Sequence, residues 1–252
     1  MRTIDCEQGS EQWRLARLGK VGASMVADAT ARTKSGWGAS RANLAARLVI
    51  ERLTGNPSQS FITPAMQHGI DTEPEARRTY AFVHCVEVSQ IGLVLHPTID
   101  GAVASPDGLV HENGLVEIKC PQAARHLQTL LGAEVDGGYL KQMQWQMACT
   151  GRQWCDFVSF DPAMPEEMRL FIRRMERDDE RISGLEREVR VFLAELEEKI
   201  EAQQAALKGN EGDCKPDKDG KGCEEGPKKV PKESPEFQRF ESTYLELEKS
   251  LL

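Results

Sequence analysis

Apolar residues recur along this chain with two different periods, and the switches between them mark the elements. Leu44, Leu48, Val49 and Leu53 repeat at helical spacing after Ser40, and Gly55 follows, which predicts a helix and its stop. Ser10 precedes a short stretch holding Trp13 and Arg17, and Ser24 precedes Met25, Val26 and Ala27. Each serine is expected to cap a short helix, the second offering an anion site at its N-terminus. Thr72 followed by Pro74 predicts a further helix with Glu73 at its start. Val86 to Leu95 and Gly101 to Ala104 read as strands, and Asn113-Gly114 reads as the hairpin turn between Gly108-Leu109-Val110 and Leu115 to Lys119. After Gly137-Gly138 a helix carries Gln142 and Gln146 four apart, on a stripe that suits either DNA or solvent. Trp154 to Phe160 and Met168 to Arg174 alternate as half-buried strands around an Asp161-Pro162 turn, and a long acidic helix from about Asp178 to Leu207 follows.

Beyond that helix the pattern changes. Residues 209–235 are rich in Gly, Pro and charge and nearly free of large apolar side chains, the composition of a disordered linker. Phe237, Phe240, Tyr244, Leu247 and Leu251 then recur at three and four residues, which predicts an amphipathic helix over 236–252. The expected organisation is one catalytic domain over 1–208 with this appendage, which suits either partner binding or a dispensable extension.

Charge refines the picture. The net charge of -8 argues against a nucleic-acid partner, yet residues 1–175 are near balance, with 18 Lys and Arg against 19 Asp and Glu. The first 52 residues hold nine bases and five acids, so a confined phosphate track near the N-terminus is expected rather than a broad basic surface. Seven cysteines, several in apolar or motif contexts (Cys85, Cys120, Cys149, Cys155), suit reduced thiols, and no tight C-x2-C pair suggests a cluster. No apolar N-terminal signal and no uninterrupted run of about 18 apolar residues occurs, so a cytoplasmic location in a bacterial cell is expected, without membrane contact.

The chemistry concentrates at Asp107 and Glu117-Ile118-Lys119, separated by nine residues that form the expected hairpin. Side chains alternate along a strand, so Glu117 and Lys119 share one face and Val116 and Ile118 the other, buried one. The hairpin brings Asp107 and Glu117 to the same end of the ribbon. Two converging carboxylates repel each other and suit a hard divalent cation, Mg²⁺ or Mn²⁺, through oxygen ligands. A water bound to such a cation is an activated nucleophile, and Lys119 beside it suits holding that water or stabilising charge on a phosphorus centre. A bare E-x-K triplet also suits a solvated cross-strand pair. Pro106-Asp107 at this spacing and Cys120-Pro121 ending the strand favour phosphodiester hydrolysis.

These same residues carry a resemblance. Ser105-Pro106-Asp107-Gly108-Leu109 and Leu115 to Pro121 are similar to the signature of the phage lambda exonuclease and YqaJ-type viral recombinase family, within the PD-(D/E)XK nucleases. Trp13, Arg17, Gly19, Val21, Ala23 and Ser24 match that family's N-terminal block, and Gly69 to Glu73 and Gln142 to Trp145 its other two, in order over roughly residues 7–195. The resemblance implies an α/β restriction-endonuclease-like core, a mixed central sheet flanked by helices. It implies that Asp107, Glu117 and the Ile118 carbonyl ligate Mg²⁺, with Glu73 contributing and Lys119 activating water. Arg17, Ser24, Ser105 and Gln142 would form a 5′-phosphate pocket, in which a guanidinium fork and neutral donors grip the strand end. Without the family, Arg17 also suits an ion pair with Glu11 or Asp5, and Trp13 and Trp145 suit core or pocket walls.

The implied activity is processive 5′-to-3′ degradation of one strand of a DNA duplex by a ring-shaped homotrimer, leaving 3′ overhangs for a single-strand annealing protein. Two other readings stay open at this point. One is a restriction-type endonuclease using the same metal site, although no base-reading module is recognisable. The other is a non-catalytic scaffold that binds DNA ends.

Overall fold

A computed structural model describes residues 1–34, 36–58 and 62–211, with side chains through 205. The chain divides into two compact units, Met1–Gln204 and Ala205–Leu252. The expected linker and terminal amphipathic helix lie, apart from three helical residues ending at Glu211, outside the described residues.

The chain opens with β1 (Arg2–Ile4), α1 (Glu11–Arg17), β2 (Val21–Gly22) and α2 (Val26–Ala29), then a small ribbon of β3 (Arg32–Thr33) and β4 (Gly36–Trp37). Two long helices follow, α3 (Ala39–Thr54) and α4 (Pro64–His84). Strands β5 (Val88–Ser89), β6 (Leu93–Leu95), β7 (Ala102–Ala104), β8 (Gly108–Val110) and β9 (Gly114–Lys119) lead to α5 (Ala123–Leu130) and α6 (Gly137–Thr150). Strands β10 (Trp154–Phe160) and β11 (Leu170–Glu176) and helix α7 (Asp179–Glu211) complete the described chain. One sheet runs β11-β10-β9-β8-β5 and is mixed, with β9 and β10 parallel and the other pairs antiparallel. The second runs β1-β6-β7-β2 and is also mixed. This is the expected α/β architecture of mixed sheets flanked by helices.

Helix α6 is the keystone. From Met143 to Cys149 every residue is buried, because Met143 and Met147 pack with Leu115 and Phe157 of the five-stranded sheet while Trp145 and Cys149 pack with Val94, Ala104 and Phe192 on the other side. The opposite face of the five-stranded sheet, Val116, Ile118, Val158 and Phe160, is covered by Ala76 and Tyr80 of α4. Burying a polar side chain costs free energy unless it is bonded. Gln144 meets that demand by donating to the Glu176 carbonyl at 2.8 Å and accepting the Asp178 amide at 2.9 Å. Beneath α4, buried Asp156 accepts the Tyr80 hydroxyl at 2.7 Å and both arms of Arg174 at 2.8 and 2.9 Å.

Several elements fall where the patterns place them. Ser10 caps α1, its hydroxyl accepting the Trp13 amide at 3.1 Å, and left-handed Gly55 closes α3. Others differ for identifiable reasons. Ser24 does not cap a helix: it lies exposed within a 3-10 turn, Ala23–Met25, and the four-residue α2 starts after Met25 with no side-chain cap. Thr72, Glu73 and Pro74 lie in the middle of α4, whose start is Thr63-Pro64, with the Thr63 hydroxyl accepting the Met66 amide at 3.2 Å. Pro74 is tolerated inside because the carbonyl it leaves unpaired belongs to Ile70, which is exposed to solvent.

The stretch Val86 to Leu95 is two strands in two sheets rather than one. The chain crosses at Gly92, where a Cβ would stand 2.4 Å from the Cys6 carbonyl oxygen. The hairpin turn is His111-Glu112-Asn113, with His111 left-handed at φ 49°, and Gly114 pairs with Val110 in the ladder. Gly114 is required by packing, since a Cβ there would lie 2.1 Å from the Trp154 ring.

Candidate active site

The hairpin register sets Gly108 opposite Val116 and so brings Asp107 beside the end of β9. One Asp107 carboxyl oxygen, Oδ2, accepts the Ile118 amide at 2.7 Å, locking the two sequence motifs together. Glu117 points from β9 into α6 and is 0 % exposed. The polar face expected for Glu117 and Lys119 is therefore closed at Glu117, which α6 roofs, while Lys119 stays partly exposed. A carboxylate so enclosed must be bonded on every side. Gln142 donates to its Oε1 at 2.7 Å, Gln146 donates to its Oε2 at 2.6 Å, and Lys119 closes an ion pair on Oε1. The glutamine stripe of α6 thus faces neither DNA nor solvent as a whole; both amides grip Glu117.

Glu73 enters from the middle of α4. Arg77, one turn on, pairs with Glu73 and also donates its Nε to the Asp107 backbone carbonyl at 3.0 Å, joining the helix to the hairpin. Glu73, Asp107, Glu117 and Lys119 therefore converge on one end of the five-stranded sheet. Nothing in a helical or strand period singles out Arg77 or Gln146 for this. The four-residue spacings Glu73–Arg77 and Gln142–Gln146 were the available signal, and only the fold says what those stripes face.

The electrostatics of this cluster point to surplus negative charge. Burial pushes the Asp107 carboxyl well above the usual carboxylate range, and Glu117 and Glu73 push it further, against the opposing Lys119 charge and Ile118 amide. Burial likewise raises Glu73, with Glu117 adding to it and Arg77 opposing. Burial disfavours the Lys119 ammonium, but Glu117 and Asp107 outweigh it and hold its pKa above the ordinary lysine value. Lys119 is thus a fixed cation here, lying 5.0 Å over the Tyr139 ring. Among the described residues no three His, Cys, Asp or Glu side chains are grouped so as to hold a metal ion as they stand. The donor set nonetheless fits a hard cation by its chemistry: carboxylate oxygens only, mutually destabilised in their charged forms.

The expected phosphate residues are placed in two groups. Arg17 pairs with neither Glu11 nor Asp5. Its guanidinium lies 4.1 Å over the Trp13 ring and closes on Gly22, where a Cβ would stand 2.7 Å from Arg17 Nη2. The same Trp13 donates its indole N–H to Ser105 Oγ at 2.9 Å, so one ring links Arg17 to the loop that carries Asp107. Ser24 lies exposed two residues beyond Gly22, on a turn packed against α6. Gln142 forms the second group, on α6 with its amide on Glu117 rather than on Arg17, Ser24 or Ser105.

Residues 12–153 match the YqaJ-like viral recombinase domain family, a span that includes Trp13, Arg17, Glu73, Asp107, Glu117 and Gln142. The fold matches the crystal structure of an alkaline exonuclease, LHK-Exo, from Laribacter hongkongensis at 50% identity, with a TM-score of 0.74, over 79% of this chain and 99% of that one. A structure of LHK-Exo in complex with dAMP matches at the same identity and coverage with a TM-score of 0.75. A phage related exonuclease from Haemophilus somnus 129PT shares the fold at 15% identity, with a TM-score of 0.58, over 73% of this chain and 96% of that one. No curated protein sequence matches the chain. No described helix is long and apolar enough to cross a membrane. With the family's domain matched over more than half its length, this chain belongs to the YqaJ-like viral recombinase domain family.

Proposed function

We propose that this protein is a Mg²⁺-dependent exonuclease that degrades one strand of a DNA duplex in the 5′-to-3′ direction from phosphorylated ends. The broader statement, a nuclease acting in recombination, follows from family membership and from the half-identical alkaline exonuclease. The finer reading rests chiefly on one observation: Glu117 is wholly buried yet held by Gln142, Gln146 and Lys119, beside an Asp107 carboxyl anchored to the Ile118 amide.

In this reading Asp107, Glu117, the Ile118 carbonyl and Glu73 would hold the cation, which when bound would supply an activated water and charge neutralisation at the phosphate. Asp107 and Glu117 are kept ready by partners that fix their oxygens before any substrate arrives. Lys119, held protonated, acts as a hydrogen-bond donor that orients the attacking water and balances charge developing on phosphorus. Arg77 sets Glu73 and the Asp107 backbone in one frame. Arg17, with Ser105 and Ser24, grips the terminal 5′-phosphate, with Gln142, whose amide also holds Glu117, as a further neutral donor. Fixing the strand end in this way brings the next phosphodiester to the carboxylates.

The dAMP complex of the relative is consistent with release of mononucleotides. Family membership further supports a ring-shaped homotrimer whose 3′ overhangs pass to a single-strand annealing protein. Chromatography of the products tests the chemistry directly. Mg²⁺ or Mn²⁺ should release 5′-mononucleotides from linear duplex and a chelator should stop it, whereas equal release with chelator present refutes the metal assignment.

A further inference from the structure

Helix α3 is tied to the loop that follows α1 from two sides. Glu51 Oε2 accepts the Gly19 amide at 3.0 Å, and Arg52 Nε donates to the Gly19 carbonyl at 2.7 Å. Gly19 takes the left-handed φ of 63° that this tight clasp needs. One turn before Glu51, on the same side of α3, stands Arg47. It is exposed, with no hydrogen-bond or ion-pair partner among the described residues. The clasp fixes this turn of α3 near Arg17, two residues before Gly19. Arg17 is pushed down to about 10 by burial first and by the positive charge of Arg47 second.

Two neighbouring guanidiniums repel unless a counter-charge grips them. Glu51 partly offsets the positive charge at Arg17. Its oxygens are already committed, Oε2 to the Gly19 amide and Oε1 to the Ser58 hydroxyl at 2.8 Å and amide at 3.4 Å. Among the described residues neither Arg17 nor Arg47 has a carboxylate within ion-pair distance. The arginine pair therefore carries positive charge that the protein itself does not neutralise.

We infer that Arg47 is a second arginine of the 5′-phosphate site, acting with Arg17 to select a terminal phosphomonoester over a phosphodiester or a hydroxyl end. The charges match. A phosphomonoester is close to dianionic above its second pKa of about 6 and presents three terminal oxygens. A phosphodiester carries one charge and a 5′-hydroxyl none. Two fork-shaped guanidiniums on one dianion give charge-assisted bonds that a single arginine cannot supply. The inference deepens the proposed function, since it rests on Arg17 holding the strand end.

The test uses the full chain and linear duplexes that differ only in a 5′-phosphate or 5′-hydroxyl, and reads the ratio of kcat/KM on the two ends. Arg47→Ala should lower that ratio roughly tenfold or more, the value of a charge-assisted hydrogen bond, mainly through KM. Arg47→Lys should fall between Arg47→Ala and the parent, because it keeps the charge and loses the fork. Circular dichroism confirms that each variant is folded. A ratio unchanged in Arg47→Ala while Arg17→Ala abolishes it overturns the role of Arg47 and leaves the pocket standing. A ratio unchanged in both variants overturns the pocket itself.

Discussion

Removing the amide of Gln146 tests how Glu117 is held. Its Nε2 stands 2.6 Å from Glu117 Oε2, both residues are fully buried, and it supplies the only hydrogen bond to that oxygen among the described residues. Gln146→Leu keeps the side chain's approximate size and helix preference while deleting the donor. A hydrogen bond to a buried charge contributes about 1.5–3 kcal/mol. If Glu117 ligates the cation, part of that stabilisation is lost from the correctly oriented carboxylate. Residues that orient metal ligands typically cost roughly 10–100-fold in metal affinity or activity when changed. At about 1.4 kcal/mol per tenfold, the two estimates agree. The assay is the initial rate of nucleotide release from 5′-phosphorylated linear duplex as Mg²⁺ is titrated, with thermal unfolding measured alongside. The Mg²⁺ midpoint should rise by roughly one to two orders of magnitude, with much of the rate regained at saturating Mg²⁺. A folded Gln146→Leu protein whose Mg²⁺ midpoint equals that of the parent refutes the reasoning, even if its melting temperature has fallen.

Three further outcomes are expected. Asp107→Asn and Lys119→Ala should each lower the cleavage rate by on the order of a thousandfold, the scale seen when a fixed electrostatic group is removed, while gel-shift binding to duplex ends persists. Gly22→Ala should fold, because its new methyl meets only the end of the Arg17 side chain, yet the displaced guanidinium should cost roughly tenfold in preference for phosphorylated over hydroxyl ends; unchanged end preference would remove Arg17 from the pocket. The acid limb of the kcat/KM profile should lie above the usual carboxylate range, since burial and then Glu117 raise Asp107 and only its ionised form can hold a cation. Because protons and Mg²⁺ compete for the same oxygens, that limb should move to lower pH as Mg²⁺ is increased, and a limb that ignores Mg²⁺ would assign it to another group.

The sequence-to-structure relation is uneven for physical reasons. Strong local signals survive folding: Ser10 caps α1, Gly55 ends α3, and Trp154 to Phe160 is a strand, although as a central strand it is buried on both faces rather than half-buried. The motif of Asp107 and Glu117-Ile118-Lys119 is legible because a hairpin closes its nine-residue gap locally. Signals that depend on context mislead. Thr72-Pro74 has the form of a helix start, but Thr63-Pro64 supplies the actual one nine residues earlier, and solvent tolerates the internal proline. Asn113-Gly114 has the composition of a tight turn, whereas Gly114 is fixed by the Trp154 ring arriving from a distant strand. The two roles of α6 are hidden for a similar reason. A helix buried on nearly all sides has no clear apolar stripe, so its glutamines look like surface residues until the sheet beneath them is known. Arg47 carries no sequence signal beyond its charge and Arg77 none beyond its four-residue spacing from Glu73; the Gly19 clasp sets the turn of α3 that holds Arg47, and the Asp107 carbonyl gives Arg77 its place beside the hairpin.

The central claim, metal-dependent attack on one strand from an anchored 5′ end, is met most directly by a single incubation. Linear duplexes bearing a 5′-phosphate on one strand only are mixed with the protein, with and without Mg²⁺, beside covalently closed circles. Loss of the phosphorylated strand alone, only with Mg²⁺ and with circles intact, is the expected result. Nicked or linearised circles, or equal loss of both strands, would contradict it and point to internal cleavage, while metal-independent binding without cleavage would point to a DNA-end scaffold.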